Sequence, residues 1–125
     1  MKVGKKSKYQ YIYSQRSTES IHYAVSQIKK SKIAPYVKYL YLYGSCARRE
    51  QTIHSDVDLF MVLSPDIDMN RYKDDIILLK SKVIPLDMNL PEVDLKVVVG
   101  DKWIHSNSLY YKNVKNEGVN IWDIQ

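Results

Sequence analysis

Tyr39-Leu40-Tyr41-Leu42-Tyr43-Gly44-Ser45, a short polar run, and then Ser55-Asp56-Val57-Asp58-Leu59-Phe60-Met61-Val62-Leu63 form the stretch that decides the fold. It reads as a strand, a Gly-Ser turn, a short helix, a loop and a second strand. The chemistry falls at the two junctions. Gly44 and Ser45 end the first strand and open a helix, so free backbone N–H groups there suit a phosphate. Asp56 and Asp58 are two apart in a strand, which sends both carboxylates from one face. Neighbouring acids repel unless a cation lies between them, and hard oxygen ligands beside a phosphate cradle suggest Mg²⁺.

Outward from that stretch, the elements follow from periodicity. Residues 38–43 place Leu40 and Leu42 on one face and Tyr39, Tyr41 and Tyr43 on the other, where the rings read as packing. In the second strand Asp56, Asp58 and Phe60 share a face, and Val57, Leu59, Met61 and Leu63 line the buried one. Upstream, Ser17 or Thr18 is expected to cap a helix whose apolar face is Ile21, Ala24, Val25 and Ile28. Lys29, Lys30 and Lys32 close that helix, and Pro35 ends it. Downstream, Asn70 is expected to cap a helix over residues 71–83. Tyr72, Ile76, Leu79 and Val83 make its apolar stripe, with Ile77 and Leu78 broadening it. Residues 92–99 form a third strand, in which Asp94 is an acid among valines and leucine. A turn carrying Trp103 and Ile104 follows, then a last helix capped by Ser106 or Ser108 and stopped at Gly118. Residues 119–124 read as an apolar tail anchored by Trp122. The expected fold is α/β: a small mixed sheet flanked by helices, in the order αβαβαβα.

A chain of 125 residues carries one core. The expected division is a basic, tyrosine-containing N-terminal arm over residues 1–16 and a single domain over 17–125. No apolar run approaches a membrane span, and no signal sequence is read. The one cysteine, Cys46, excludes an internal disulfide and fits a reducing cytoplasm. A net charge of +5 suits an anionic partner such as ATP, RNA or an acidic protein face. The aromatic residues form no recognisable stacking motif, so direct nucleic-acid binding is not expected.

Gly44-Ser45, ten intervening residues and Asp56-Val57-Asp58 resemble the signature of the DNA polymerase β-like nucleotidyltransferases. The run Gly44-Ser45-Cys46-Ala47-Arg48-Arg49-Glu50, followed by Ser55-Asp56-Val57-Asp58-Leu59, is most similar to the minimal nucleotidyltransferases (MNT). Many of these, the MntA-like proteins, are antitoxins paired with a HEPN-domain RNase toxin. The family usually has glycine where Arg49 stands and often arginine where Cys46 stands. The resemblance implies a two-metal Mg²⁺ site on Asp56, Asp58 and Asp94. Asp94 would hold the second metal or accept the proton of the attacking hydroxyl. Gly44 and Ser45 would bind the nucleotide's phosphates, with Arg48 and Arg49 reaching the triphosphate. The implied reaction is transfer of AMP from ATP to a hydroxyl of a HEPN toxin, by a protein that acts alone or as an oligomer. Two other readings stay open: a small-molecule nucleotidyltransferase similar to the aminoglycoside-modifying enzymes, and a non-catalytic antitoxin on the same fold.

Overall fold

The computed structural model describes residues 15–44 and 56–122. The N-terminal arm up to residue 14, the expected helix over residues 46–51, and with it Ser45, Arg48 and Arg49, lie outside the described residues.

Among the described residues three α-helices pack on a four-stranded mixed sheet, as expected for the fold class. In chain order these are α1 (Gln15–Lys30), β1 (Val37–Tyr43), β2 (Val57–Leu63), α2 (Met69–Lys82), β3 (Val93–Val99), α3 (Leu109–Glu117) and β4 (Val119–Asn120). The strands lie in the order β3-β2-β1-β4. β1 and β2 run antiparallel with Tyr43 opposite Asp58. β2 and β3 run parallel with Asp58 opposite Asp94. A parallel pair needs a crossover, and α2 supplies it. No helix among the described residues is long and apolar enough to cross a membrane.

Alternation along the strands sorts the core into two clusters, one on each face of the sheet. Leu40, Leu42, Val57, Leu59, Met61 and Leu63 pack with Ile21, Ala24 and Ile28 of α1 and with Ile76 and Leu79 of α2. On the other face, Tyr43, Phe60 and Val62 pack with Trp103, Val114, Tyr110 and Tyr111. Phe60 lies at its centre, edge-on to Trp103 at 4.9 Å and to Tyr43 at 6.4 Å. Such tilted contacts set the electropositive ring edge against the electronegative face.

Several boundaries differ from expectation, each for a local reason. Ser17 and Thr18 do not start α1; both are buried within it. Nearby, the Ser20 hydroxyl donates to the Pro91 carbonyl at 2.7 Å, and the Arg16 guanidinium donates to the Asn89 carbonyl. Polar residues on this helix thus hold the loop before β3. Asp68, not Asn70, caps α2: one carboxylate oxygen accepts from the Asn70 and Arg71 N–H groups at 3.1 and 3.3 Å. An ionised cap also answers the positive end of the helix dipole. Ile77 and Leu78 do not broaden the buried stripe of α2. They are 61% and 51% exposed, because positions 72, 76, 79 and 83 already fill the contact with the sheet.

The C-terminal segment departs furthest. Ser108 precedes α3 without a side-chain cap bond, and its N–H donates to the Ser106 hydroxyl at 3.1 Å. Gly118 stops α3 without a left-handed turn, at φ −68°. Glycine is needed there for space: a Cβ would stand 2.5 Å from the Val114 carbonyl oxygen and 3.3 Å from Tyr41. The chain then pairs as β4 along β1, with Tyr41 opposite Asn120. The Asn120 side-chain oxygen accepts from the Leu40 and Trp122 N–H groups at 3.2 and 3.1 Å. Ile121 and Trp122 are buried, so the expected apolar tail is in part an edge strand.

Candidate active site

Three strand ends meet where β1 finishes and β2 and β3 begin. Gly44 follows Tyr43 with φ +80°, a left-handed conformation that glycine adopts without a Cβ clash. Its backbone lies against Asp58: a Cβ on Gly44 would stand 2.5 Å from an Asp58 carboxylate oxygen. The turn and the acid, fourteen positions apart, are therefore one local structure. Asp58 is half-buried, directly opposite Asp94 on the parallel neighbour.

Asp94 is about half exposed, and the Lys96 ammonium binds it at 3.1 Å. Lys96 is two residues further along β3 and so shares the face of Asp94, opposite Phe60. Asp56 is exposed and stands immediately before β2, where the Val57 N–H donates to the Glu92 carbonyl at 2.8 Å. The structure brings Asp58 and Asp94 together as strand partners. It does not gather three carboxylates: among the described residues no group of three His, Cys, Asp or Glu side chains is placed to hold a metal ion.

Two tyrosines complete the described part of this face. The Tyr43 and Tyr110 hydroxyls are hydrogen-bonded at 2.8 Å, linking β1 to α3. Burial raises the Tyr43 pKa far above its ordinary value of 10.0. The Tyr110 hydroxyl and the negative charges of Asp58 and Asp94 add to the effect. Tyr110 is raised too, mainly by burial and also by the same two aspartates, against the bond from Tyr43, which works the other way. Both hydroxyls are protonated at neutral pH, as in any tyrosine, and these shifts keep them so further into the alkaline range. The sequence marked the tyrosines of β1 only as packing, and gave Tyr110 and Lys96 no role. Strand alternation could have placed Lys96 beside Asp94; the Tyr43–Tyr110 bond spans 67 positions and has no local signal.

The donor set fits a hard divalent cation. Mg²⁺ keeps several waters and commonly takes one or two carboxylates together with substrate phosphates, so a facing pair of aspartates is sufficient protein ligation. Asp58 and Asp94 would hold it, with Asp56 as the further carboxylate at the head of β2. The Gly44 turn leaves room at Asp58 that any side chain would fill.

Comparison with known proteins agrees with the fold class. A family model described as polymerase beta, nucleotidyltransferase matches residues 25–124, which include Gly44, Asp56, Asp58 and Asp94. The chain is similar to the crystal structure of a candidate nucleotidyltransferase from Sulfolobus solfataricus. The TM-score is 0.55 at 20% identity, over 98% of this chain and 91% of that one, a likeness of fold. No curated protein matches the chain. With four fifths of its length matched, strand ends and acids included, the chain belongs to the polymerase β nucleotidyltransferase family.

Proposed function

We propose that this protein transfers AMP from ATP to a hydroxyl of a partner protein, in the cytoplasm, as an AMPylating antitoxin acting on a HEPN RNase toxin. The observation that carries nucleotidyl transfer is the register of Asp58 with Asp94 beside the Gly44 turn. The choice of a protein acceptor is supported by the likeness of residues 44–50 and 55–59 to the minimal nucleotidyltransferases.

In this reaction the acceptor oxygen attacks the α-phosphorus in line, the bond from that phosphorus to the bridging oxygen breaks, and pyrophosphate leaves. Mg²⁺ held by the aspartates would neutralise charge on the phosphates and stabilise the entering and leaving oxygens. The protein's own part is positioning. Gly44 presents a backbone donor to the phosphates, and the role of Ser45 there is the one the resemblance implies. Arg48 and Arg49 neutralise the departing pyrophosphate. Asp94 accepts the hydroxyl proton once Lys96 releases it, or joins Asp56 and Asp58 as a metal ligand. Tyr43 and Tyr110, held neutral, add no charge that would compete with the substrate.

A non-catalytic antitoxin is the second reading, favoured by the Lys96–Asp94 ion pair, which occupies one of the two facing carboxylates. The deciding assay uses labelled ATP, Mg²⁺ and a purified HEPN-domain RNase. Label on the RNase, reduced by roughly 10²–10⁴ in Asp58→Ala, is the expected result. Tight binding without label would establish the second reading, and neither label nor binding would overturn both.

A further inference from the structure

On the sheet face away from Asp58 and Asp94, two hollows adjoin at Lys30. One, of about 420 Å³, is lined by Val25, Lys29 and Lys30 with His22 and Ser26. The other, of about 290 Å³, lies between Lys30 and Lys32 at the end of α1 and Leu78 and Lys82 of α2, with Asp75 in its lining. Lys30, Lys32 and Lys82 thus share the second hollow with one carboxylate and Lys29 lines the first, and among the described residues none of the four is ion-paired. The helix dipole accounts for Lys29 and Lys30 at a C-terminus. It does not account for Leu78, which is half exposed between the cations of two different helices.

From this combination of charge and apolar surface we propose that the α1–α2 groove binds an acidic amphipathic helix of a partner protein. Carboxylates on such a helix would meet Lys29, Lys30, Lys32 and Lys82, and its aliphatic stripe would cover Val25 and Leu78. The α1 residues of this surface, His22 to Lys30, span about 12 Å, just over two helical turns. Val25 and Leu78 give this basic surface an apolar component that an aliphatic helix face can cover, which favours a protein over a nucleic acid. Occupation of this face leaves the aspartate face uncovered, so binding here does not depend on the transfer reaction.

The test is fluorescence anisotropy with a labelled peptide of about four helical turns. It carries a stripe of leucines flanked on both sides by glutamates. A scrambled peptide of the same composition and a short single-stranded RNA serve as the other probes. The amphipathic peptide is expected to bind at least about tenfold more tightly than the scrambled one. Lys30→Glu/Lys82→Glu should weaken it about tenfold or more, Leu78→Asn should also weaken it, and Lys112→Glu on the opposite face should leave it unchanged. Thermal melts of each variant separate lost binding from lost folding. Preference for the RNA, equal binding of the scrambled peptide, an equal effect of Lys112→Glu, or no peptide binding would each overturn the proposal.

Discussion

Along β2, Val57, Leu59, Met61 and Leu63 meet α1 and α2, whereas Phe60 and Val62 meet α3 and the turn around Trp103, with Asp58 at the open end of that second face. The first face is mainly aliphatic, with Trp122, Tyr36 and Tyr72 at its margins. Its stability comes from area removed from water and from close packing. The second face is built of rings, hydroxyls and acids. Ring edges and phenol O–H groups can lie beside a carboxylate that an aliphatic wall would force to be protonated. One strand therefore serves an aliphatic core on its odd-numbered positions, and on its even-numbered ones an aromatic core that opens at Asp58 into the site. Neighbouring residues should differ sharply in what their loss does.

The strongest test compares adjacent positions. Asp58→Asn should reduce nucleotidyl transfer by roughly 10²–10⁴ while urea unfolding changes little. Leu59→Ala should lower stability by about 2–5 kcal/mol, because a fully buried side chain is lost from a packed face. Comparable stability loss in both would erase the distinction between the faces.

Gly44→Ala lies where the two tasks meet. The left-handed backbone should cost about 1–2 kcal/mol. The new methyl must also displace the Asp58 carboxylate, so activity should fall by more than the stability loss explains. Wild-type transfer at protein concentrations and temperatures where Gly44→Ala is fully folded would separate Asp58 from the turn.

Tyr43 gives the second face a pH signature. In the unfolded chain it ionises near 10.0; in the folded protein burial holds it protonated well above that. Below pH 10 both states carry the proton, and its stabilising contribution is fully present. Above pH 10 the unfolded state binds fewer protons, so stability falls as pH rises, by at most about 1.4 kcal/mol per unit for each such tyrosine. Tyr43→Phe should cost about 1 kcal/mol at neutral pH for the lost hydroxyl bond and make the alkaline fall shallower. Chemical denaturation from pH 8 to 11 measures both.

The smallest effect is expected at Lys96. Its pair with Asp94 is about half exposed on both sides, so Lys96→Ala should change stability by less than about 1 kcal/mol. Its influence should appear instead in the metal dependence of transfer, with a lower Mg²⁺ requirement once Asp94 is released. An unchanged requirement would make the pair an ornament of the surface.

Much of this molecule was legible in order along the chain. Alternation at 39–43 and 57–63 determined which side chains share a face, because strand geometry leaves no other choice. Gly44-Ser45 followed by Asp56-Val57-Asp58 marked the family, and the valine-rich setting of Asp94 marked it as an acid worth explaining. Caps were less legible: Asp68 and Asn70 both suit a helix start, and the backbone angle that selects Asp68 is set by the turn before it. Other features required the tertiary structure, because they join residues that are remote in the chain. The parallel register opposes Asp58 to Asp94, α3 brings the Tyr110 hydroxyl to Tyr43, and β4 closes the edge of β1. Ile77 and Leu78 are apolar, yet at 3.6 residues per turn they project about 130° to either side of the stripe at 72, 76, 79 and 83, so the sequence already carried the signal that they face out. What only the tertiary structure decided is which face of α2 meets the sheet: residues 72, 76, 79 and 83 dock on it, which leaves Ile77 and Leu78 exposed.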